Sequence, residues 1–459
     1  MKKSDSPSNT IEKLLSKIDA LITRVEQLES ENASLKEELR KYKTPKNSKN
    51  SSIPPSKDEN RIKPNQSLRK PSVKKPGGQP GRKGKTLNMT AIPDEIITLE
   101  PIYCKSCGTS LIDKESEYHQ SRQKVDIPPI KAIFKEYQTF SKYCSCGCTT
   151  TADFPDYVNH SISYGSNVEG LIAYFHARQY LPFGRMKELM NEVFNIDISE
   201  GGIHYLLNKF SEKSKPCYEL IKQRISKSPV IGTDETGVNI AGNKHWYWTW
   251  QTDKLTFIAH SENRGFATIE RLFGAGFEHS ILVHDGWRAQ LKTKAFAHQT
   301  CIPHLLRRIK YLNQLYKAPK WIVKFEKLLY KALDLKRIMK PQDYISNTSR
   351  DQIQNELSEL INNPPKDIKL KEVISFHKRM NKEQEQLLTF LNYYDVPADN
   401  NGSERAIRNV KVKQKISGAF RTIKNAQQFA IIRSVIDTAL KNGQNILNAL
   451  DTIAKFQFN

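Results

Sequence analysis

Pro229-Val-Ile-Gly-Thr-Asp-Glu-Thr-Gly-Val238 opens the stretch whose reading decides the fold. Its apolar and β-branched residues, broken by glycines, read as a strand. A turn at Ala241-Gly-Asn243 leads into Trp246-Tyr-Trp-Thr-Trp250, a second strand. Thr252-Asp-Lys254 then turns the chain into Leu255-Thr-Phe-Ile-Ala-His260. Three strands joined by tight turns make a β-meander. Phe266 to Phe273 reads as a helix, and Ser280-Ile-Leu-Val-His284 as a fourth strand ending on Asp285.

A three-stranded meander followed by a crossover helix and strand is how a ribonuclease-H-like fold begins. In that arrangement the first and fourth strands lie side by side, which brings Asp234 and Asp285 together. A carboxylate in an apolar strand is costly unless it is paired or bound to a cation. Two held together repel, and Mg²⁺ relieves the repulsion through hard oxygen ligands. Taken singly, each Asp has a plainer reading as a turn cap or surface group. Glu235 alternates to the opposite face and is not expected to be a ligand. Trp246, Trp248 and Trp250 share one strand face and read as core rather than as a base-stacking platform.

Downstream, residues from about Leu312 to Tyr394 are mainly helical, with Phe325, Leu328, Leu329, Ala332 and Leu333 on one stripe. Asp399-Asn-Asn-Gly-Ser-Glu404-Arg405-Ala-Ile-Arg408 opens a further helix. Glu404 fits the capping box of Asn401 as well as it fits a third acidic ligand, and periodicity does not separate the two. Arg405, Arg408, Lys411, Lys413, Lys415 and Arg421 form a basic run beside it. A solvated helix face is the plain reading; beside a nuclease site such a run would grip phosphates. His298, Cys301 and His304 suggest a second metal site, but three such residues without a fourth partner more often simply pack.

Upstream, residues 11–42 carry an unbroken heptad: Ile11, Ile18, Val25, Asn32 and Leu39 at one position, Leu14, Leu21, Leu28, Leu35 and Tyr42 at the other. β-branched residues at the first position, Leu at the second and one Asn favour a parallel two-stranded coil over a helix packed on its own domain. From Lys46 to Lys85 there are 12 Lys or Arg against two acidic residues, in a Pro- and Gly-rich linker that reads as a basic arm or as a solubilising spacer. Five of the seven cysteines cluster next. Cys104-Lys-Ser-Cys107-Gly108 has the shape of a zinc knuckle, and Cys144, Cys146 and Cys148 compete for the remaining two places of a four-sulfur site. Unmetallated thiols are the alternative. Ile130 to Phe140 reads as a strand. Residues 160–212 read as short helices, with a third from Ser199 after a turn at Asn195 to Ile198, which permits a helix-turn-helix.

The formal charge of +23 favours a polyanionic partner. The absence of an 18-residue apolar run argues against a membrane span, and the polar start of the sequence against a secretory signal, so a cytoplasmic protein is expected.

Seven pieces, taken in order, resemble the large transposase of the insertion sequence 66 group. They are Asn50-Ser-Ser-Ile-Pro-Pro-Ser56, Gly77-Gly-Gln-Pro-Gly81, Cys104-Lys-Ser-Cys107-Gly108, Gly232-Thr-Asp-Glu-Thr-Gly237, His284-Asp-Gly286, Cys301-Ile-Pro-His304 and Asp399 to Arg408. Arg82 and Cys148 depart from the group's pattern. The resemblance implies an acidic triad of Asp234, Asp285 and Glu404. It also implies Mg²⁺- or Mn²⁺-dependent cleavage at element ends and strand transfer into target DNA. Structural Zn²⁺, an assembly of at least two chains through residues 11–42, accessory transposition proteins and work on the nucleoid are the further expectations. A DNA-binding protein without catalysis and a nuclease without strand transfer are the rival readings.

The expected architecture is multidomain. A coiled-coil helix (1–45), a basic linker (46–88), a zinc-binding unit (89–155) and a helical DNA-binding domain (156–225) precede the α/β catalytic core of ribonuclease-H-like fold. That core spans 226–311 and 396–459, with a helical insertion at 312–395.

Overall fold

A computed structural model describes residues 7–47, 50–51, 58, 81, 87–158, 160–274, 276–365 and 370–456, with side chains of the first helix from residue 15 onward. Most of the basic linker, including Gly77 to Pro80 of its glycine motif, lies outside them. The chain divides into two compact units, one of residues 1–61, 135–192 and 196–459, the other of 62–134 and 193–195.

The larger unit is built on a five-stranded sheet. Its strands are β3 (Val230–Ile240), β4 (Asn243–Gln251), β5 (Thr256–Ser261), β6 (Phe277–His284) and β7 (Ala295–Thr300), in the order β5-β4-β3-β6-β7. The first three form the expected meander, antiparallel throughout, while β6 runs parallel to β3 and β7 parallel to β6. The β3–β4 turn is tight because Ala241 and Gly242 both take positive φ, 49° and 85°, the geometry that matches strand twist in a two-residue hairpin. Short helices α5 (Phe266–Leu272) and α6 (Arg288–Leu291) make the crossovers.

Alternation along β6 feeds two cores. Leu282 packs with Ile231, Trp248, Trp250, Phe257 and Phe273 on one side. Ile281 and Val283 face a second core made with α7 (Ile302–Tyr316), α8 (Lys320–Ile338), α9 (Thr348–Asn362) and α10 (Lys371–Lys382). These helices account for most of the expected insertion. The chain returns to the sheet in α11 (Asn401–Ser417), which packs on β3 and β4, and ends in α12 (Ile423–Lys441) and α13 (Ile446–Ala454). Trp248 and Trp250 are buried, as core residues should be.

Two expectations need correction. The helices ahead of the sheet are α2 (Ser166–Ala177), α3 (Phe183–Phe194) and α4 (Glu200–Ser226). α4 begins at Ser199, whose side chain accepts the Gly202 N–H, but runs 27 residues instead of stopping near 212. Ile203, Leu206, Leu207, Phe210, Ile221 and Ile225 are buried as it packs on α12 and β5. These helices fall in the same compact unit as the sheet. Residues 130–140 form no strand; the pairing comes after them, in β1 (Ser141–Tyr143) and β2 (Thr149–Thr151). Alternation gives a strand its faces, but only a partner in register satisfies its backbone.

The first helix, α1 (Pro7–Lys43), is continuous across the heptads. Ile18, Leu21, Val25, Leu28, Leu35 and Leu39 are all about half exposed or more. Its C-terminal end meets the insertion: Lys41 pairs with Glu372 at 2.8 Å and the Tyr316 hydroxyl lies against Glu37.

Candidate active site

Parallel pairing of Val230 with Ile281, Ile231 with Leu282 and Gly232 with Val283 sets the register of the central strands. Two residues further, the same register puts Asp234 level with Asp285. The backbone N–H of Glu235 donates to Asp234 Oδ1 at 2.8 Å, and that of Trp287 to Asp285 Oδ1 at 3.0 Å, so one oxygen of each carboxylate is anchored. Burial raises the Asp234 carboxyl well above the usual range, and the charges of Asp285, Glu235 and Glu404 push the same way. Asp234 thus feels both of the other expected acids, although among the described residues the three carboxylates do not gather within 4.8 Å of one another.

Glu404 arrives from the first turn of α11, which sits unusually close to β3. A Cβ on Gly232 would lie 2.5 Å from Gln251 Nε2, 2.7 Å from Ser403 Oγ and 3.0 Å from Asn400 Oδ1, so only glycine admits the helix here. Asn400 locks the approach: its Nδ2 donates to the Thr233 carbonyl at 2.8 Å, and its Oδ1 accepts from Ser403 Oγ at 2.7 Å. The capping alternative for Glu404 is overturned, because the Asn401 N–H is taken by Asp399 Oδ1 at 2.9 Å. Glu404 Oε1 instead lies 3.6 Å from Arg307 Nη2 and 3.8 Å from His304 Nε2, and is buried without a hydrogen bond.

Glu235 is buried on the other side of the strand, where it pairs with Arg264 at 2.5 Å and accepts from Gln290 Nε2 at 3.0 Å. Burial, with Asp285, lifts its carboxyl to about 7 in spite of Arg264. Arg264 stacks on the Trp287 ring at 3.7 Å.

The turn after β6 is held by two histidines. Gly286, at φ 85°, gives its N–H to His284 Nδ1 at 3.0 Å. His284 Nε2 must then donate to His298 Nδ1 at 2.9 Å, and His298 Nε2 to the Thr293 carbonyl at 3.1 Å. Burial pushes His284 down to about 3, which keeps this relay neutral. His298 is therefore committed to the turn. Cys301 and His304 part from it and meet Glu404: among the described residues this is the group of three potential metal ligands, with ligand atoms within 4.8 Å of one another.

The basic run splits by helix phase. Arg405, Arg408, Lys415 and Arg421 are exposed. Lys411 Nζ instead donates to the Gly237 carbonyl. Lys413 is only 5% exposed and lies 3.4 Å from His176 Nδ1, so it is a buried residue and not part of an outer cationic face. Cys104 and Cys107 lie in the smaller unit, on a tight turn closed by the Gly108 N–H to the Cys104 carbonyl at 2.9 Å. Cys144, Cys146 and Cys148 lie in the larger unit, where the Cys144 N–H donates to the Cys148 carbonyl at 2.8 Å. Hydrogen bonds to its thiol lower Cys107 to about 7, in the direction that favours the metal-binding thiolate.

Sequence reasoning missed Arg264, Arg307, Asn400 and the partnership of Glu404 with His304. Cys301-Ile-Pro-His304-Leu-Leu-Arg307 carried the signal, but its partner is a hundred residues away in the chain.

A five-stranded mixed sheet flanked by helices defines a mixed α/β protein. A family model described as transposase IS66 family matches residues 162–428, more than half of the chain, and the chain belongs to that family. It is accordingly a transposase, a DNA-processing enzyme that binds DNA. A second model, of a family of unknown function, matches residues 4–88. No curated protein matches the chain. Among the described residues no helix is long and apolar enough to cross a membrane.

Proposed function

We propose that this transposase cuts the DNA backbone at the ends of its insertion sequence and joins the freed 3′ end to target DNA. Asp234, Asp285 and Glu404 are its catalytic acids, on a ribonuclease-H-like frame. The single observation that carries this reading is the parallel register of β3 and β6, which sets Asp234 level with Asp285. The strand order β5-β4-β3-β6-β7, with an antiparallel meander and two parallel additions, supports the frame.

The residues fit a hard divalent cation: the donors are carboxylate oxygens, they repel one another, and Glu404 Oε1 is buried without a hydrogen bond. Asp234, Asp285 and Glu404 would hold Mg²⁺ or Mn²⁺, which would supply an acidified water and neutralise charge on the departing 3′ oxygen. The chain's own groups prepare the site. The N–H groups of Glu235 and Trp287 fix one oxygen of each Asp and leave the other free. The neutral His284–His298 relay holds the turn that carries Asp285. Arg405, Arg408, Lys415 and Arg421 face solvent and grip phosphates.

Zn²⁺ suits the thiolates of Cys104 and Cys107 and those of Cys144, Cys146 and Cys148. The protein works in the cytoplasm on the nucleoid, as an assembly of at least two chains joined through residues 11–42, with accessory transposition proteins.

The test uses a labelled element-end duplex with Mg²⁺ or Mn²⁺, beside a gel-shift measurement on the same duplex. Glu404→Gln, Asp234→Asn and Asp285→Asn should each cut cleavage and strand transfer by orders of magnitude and leave folding and end binding intact. Normal cleavage by a folded Glu404→Gln chain removes Glu404 from the triad. Normal cleavage by all three makes the protein a DNA binder only, and cleavage without joining makes it a nuclease.

A further inference from the structure

Cys301 caps the start of α7 and His304 follows in its first turn, so both project from one helix end. Glu404 comes to them from α11. The Sγ, a ring nitrogen and a carboxylate oxygen all lie within 4.8 Å of one another, with His304 Nε2 at 3.8 Å from Glu404 Oε1. In a tetrahedral zinc site such atoms stand roughly 3.4–3.6 Å apart, given metal–ligand bonds of about 2.0–2.3 Å. A contraction of about an ångström closes the set.

A further observation points to a missing ligand. Glu404 Oε1, which faces His304 Nε2 at 3.8 Å and Arg307 Nη2 at 3.6 Å, is buried with no hydrogen-bond partner among the described residues. Buried polar atoms are nearly always satisfied, and an orphaned carboxylate oxygen beside an imidazole nitrogen and a thiol is what a cation fills. His298, the residue nearest in sequence that might have served, is held by His284 and the Thr293 carbonyl.

We infer that Cys301, His304 and Glu404 bind one borderline-soft divalent cation of the Zn²⁺ class, and that this cation, by holding Glu404, restrains DNA cleavage. Sulfur and imidazole ligands select Zn²⁺ over Mg²⁺, whose preference is for oxygen alone. Three protein ligands leave a fourth position open to water. Binding replaces the S–H bond of Cys301 by a sulfur–metal bond and releases one proton to solvent. Arg307 Nη2 lies 3.6 Å from Glu404 Oε1 and opposes a second cation there. Its side chain is 31% exposed, so it can swing outward, and its charge holds the affinity below that of a structural zinc site. The metal site stands apart from the cleavage reading; the restraint rests on it, because Glu404 serves one cation at a time.

The experiment uses the full chain, stripped by chelator and titrated with Co²⁺ alone. Sulfur-to-cobalt charge transfer in the near ultraviolet and the visible bands of tetrahedral Co²⁺ count the occupied sites. The cysteine turns at 104–107 and 144–148 are the same in every chain compared. Wild type should take up one equivalent more than Cys301→Ser and one more than His304→Gln, both checked for fold by circular dichroism. Equal uptake by all three folded chains overturns the site. Should Cys301→Ser not fold, His304→Gln alone decides. In the second arm, Mg²⁺-supported cleavage is measured with and without micromolar Zn²⁺, each chain against its own zinc-free rate. Zinc should slow wild type about tenfold and His304→Gln less than about twofold, as expected if imidazole supplies much of the selectivity. Equal slowing in both overturns the restraint. If no chain cleaves DNA, the cleavage reading fails and the restraint with it, while the cobalt count still decides the site.

Discussion

Lys413 shows what a single residue's phase on a helix decides. It follows Ser403, Ala406 and Val410 at steps of three and four, on the buried stripe of α11, whereas Arg405 lies off that stripe and is exposed. Burial alone drives its ammonium down to about 8. A lysine whose folded pKa lies below its unfolded value near 10.5 destabilises the fold wherever the unfolded chain is protonated and the folded one resists it. That penalty is complete below about 8 and vanishes as the pH rises past about 10.5. At 1.36 kcal/mol per pH unit of difference it amounts to about 3 kcal/mol, as an order of magnitude. Lys413→Met should therefore raise stability at pH 7 by up to that amount, with the gain shrinking toward pH 10.5. Denaturant midpoints at pH 7 and pH 10 check this, and a loss of stability at pH 7 would show that the His176 contact outweighs the burial. Gel shifts should show DNA affinity unchanged.

At the scale of elements, α1 is the plainest case of an unmet apolar face. A helix with Leu21 64% exposed and Leu35 65% exposed holds its stripe open to water only until something covers it. The spacing of Ile18, Leu21, Val25, Leu28 and Leu35 alternates three and four, which suits another copy of the same helix. Full-length protein should sediment as a dimer or larger at micromolar concentration, and Leu21→Arg with Leu28→Arg should reduce it by one association step. Equal masses for the two would assign the stripe another role. Asn32→Leu should strengthen association while loosening control of the chain number. α11 makes the converse point: its first turn is fixed by Gly232, Asn400 and Ser403 rather than by its own apolar stripe.

Across the whole molecule the dominant quantity is charge, +23 in formal terms. Each cation seated on a phosphate releases counterions, so affinity for duplex DNA should fall linearly in log–log with salt. Arg405→Ala with Arg408→Ala removes two exposed cations beside Glu404. The slope should shrink by about 2, at about 0.9 per phosphate contact. Titration in KCl between 50 and 200 mM, roughly the range over which such slopes are read, tests it. An unchanged slope would place the DNA on another face. Lys411 and Lys413 should leave the slope as it is when replaced, since neither faces solvent freely.

Local pattern was enough for the meander, the fourth strand and the continuous α1, because their periods of two and three-and-a-half recur within a few residues. The pairing of Asp234 with Asp285 was also legible, since a meander followed by a crossover leaves β6 one place beside β3. What the sequence did not contain was the outcome of contacts between distant segments. Glu404 fitted a capping box with Asn401 until Asp399 took the Asn401 N–H. Cys301 and His304 were grouped with His298 until α11, crossing β3 at Gly232, brought Glu404 within 4.8 Å of them. Residues 130–140 had a strand's alternation but no strand beside them. In each case the side chain's own chemistry was known from the chain, and its partner was chosen only by tertiary packing, which sets distances that no periodicity encodes.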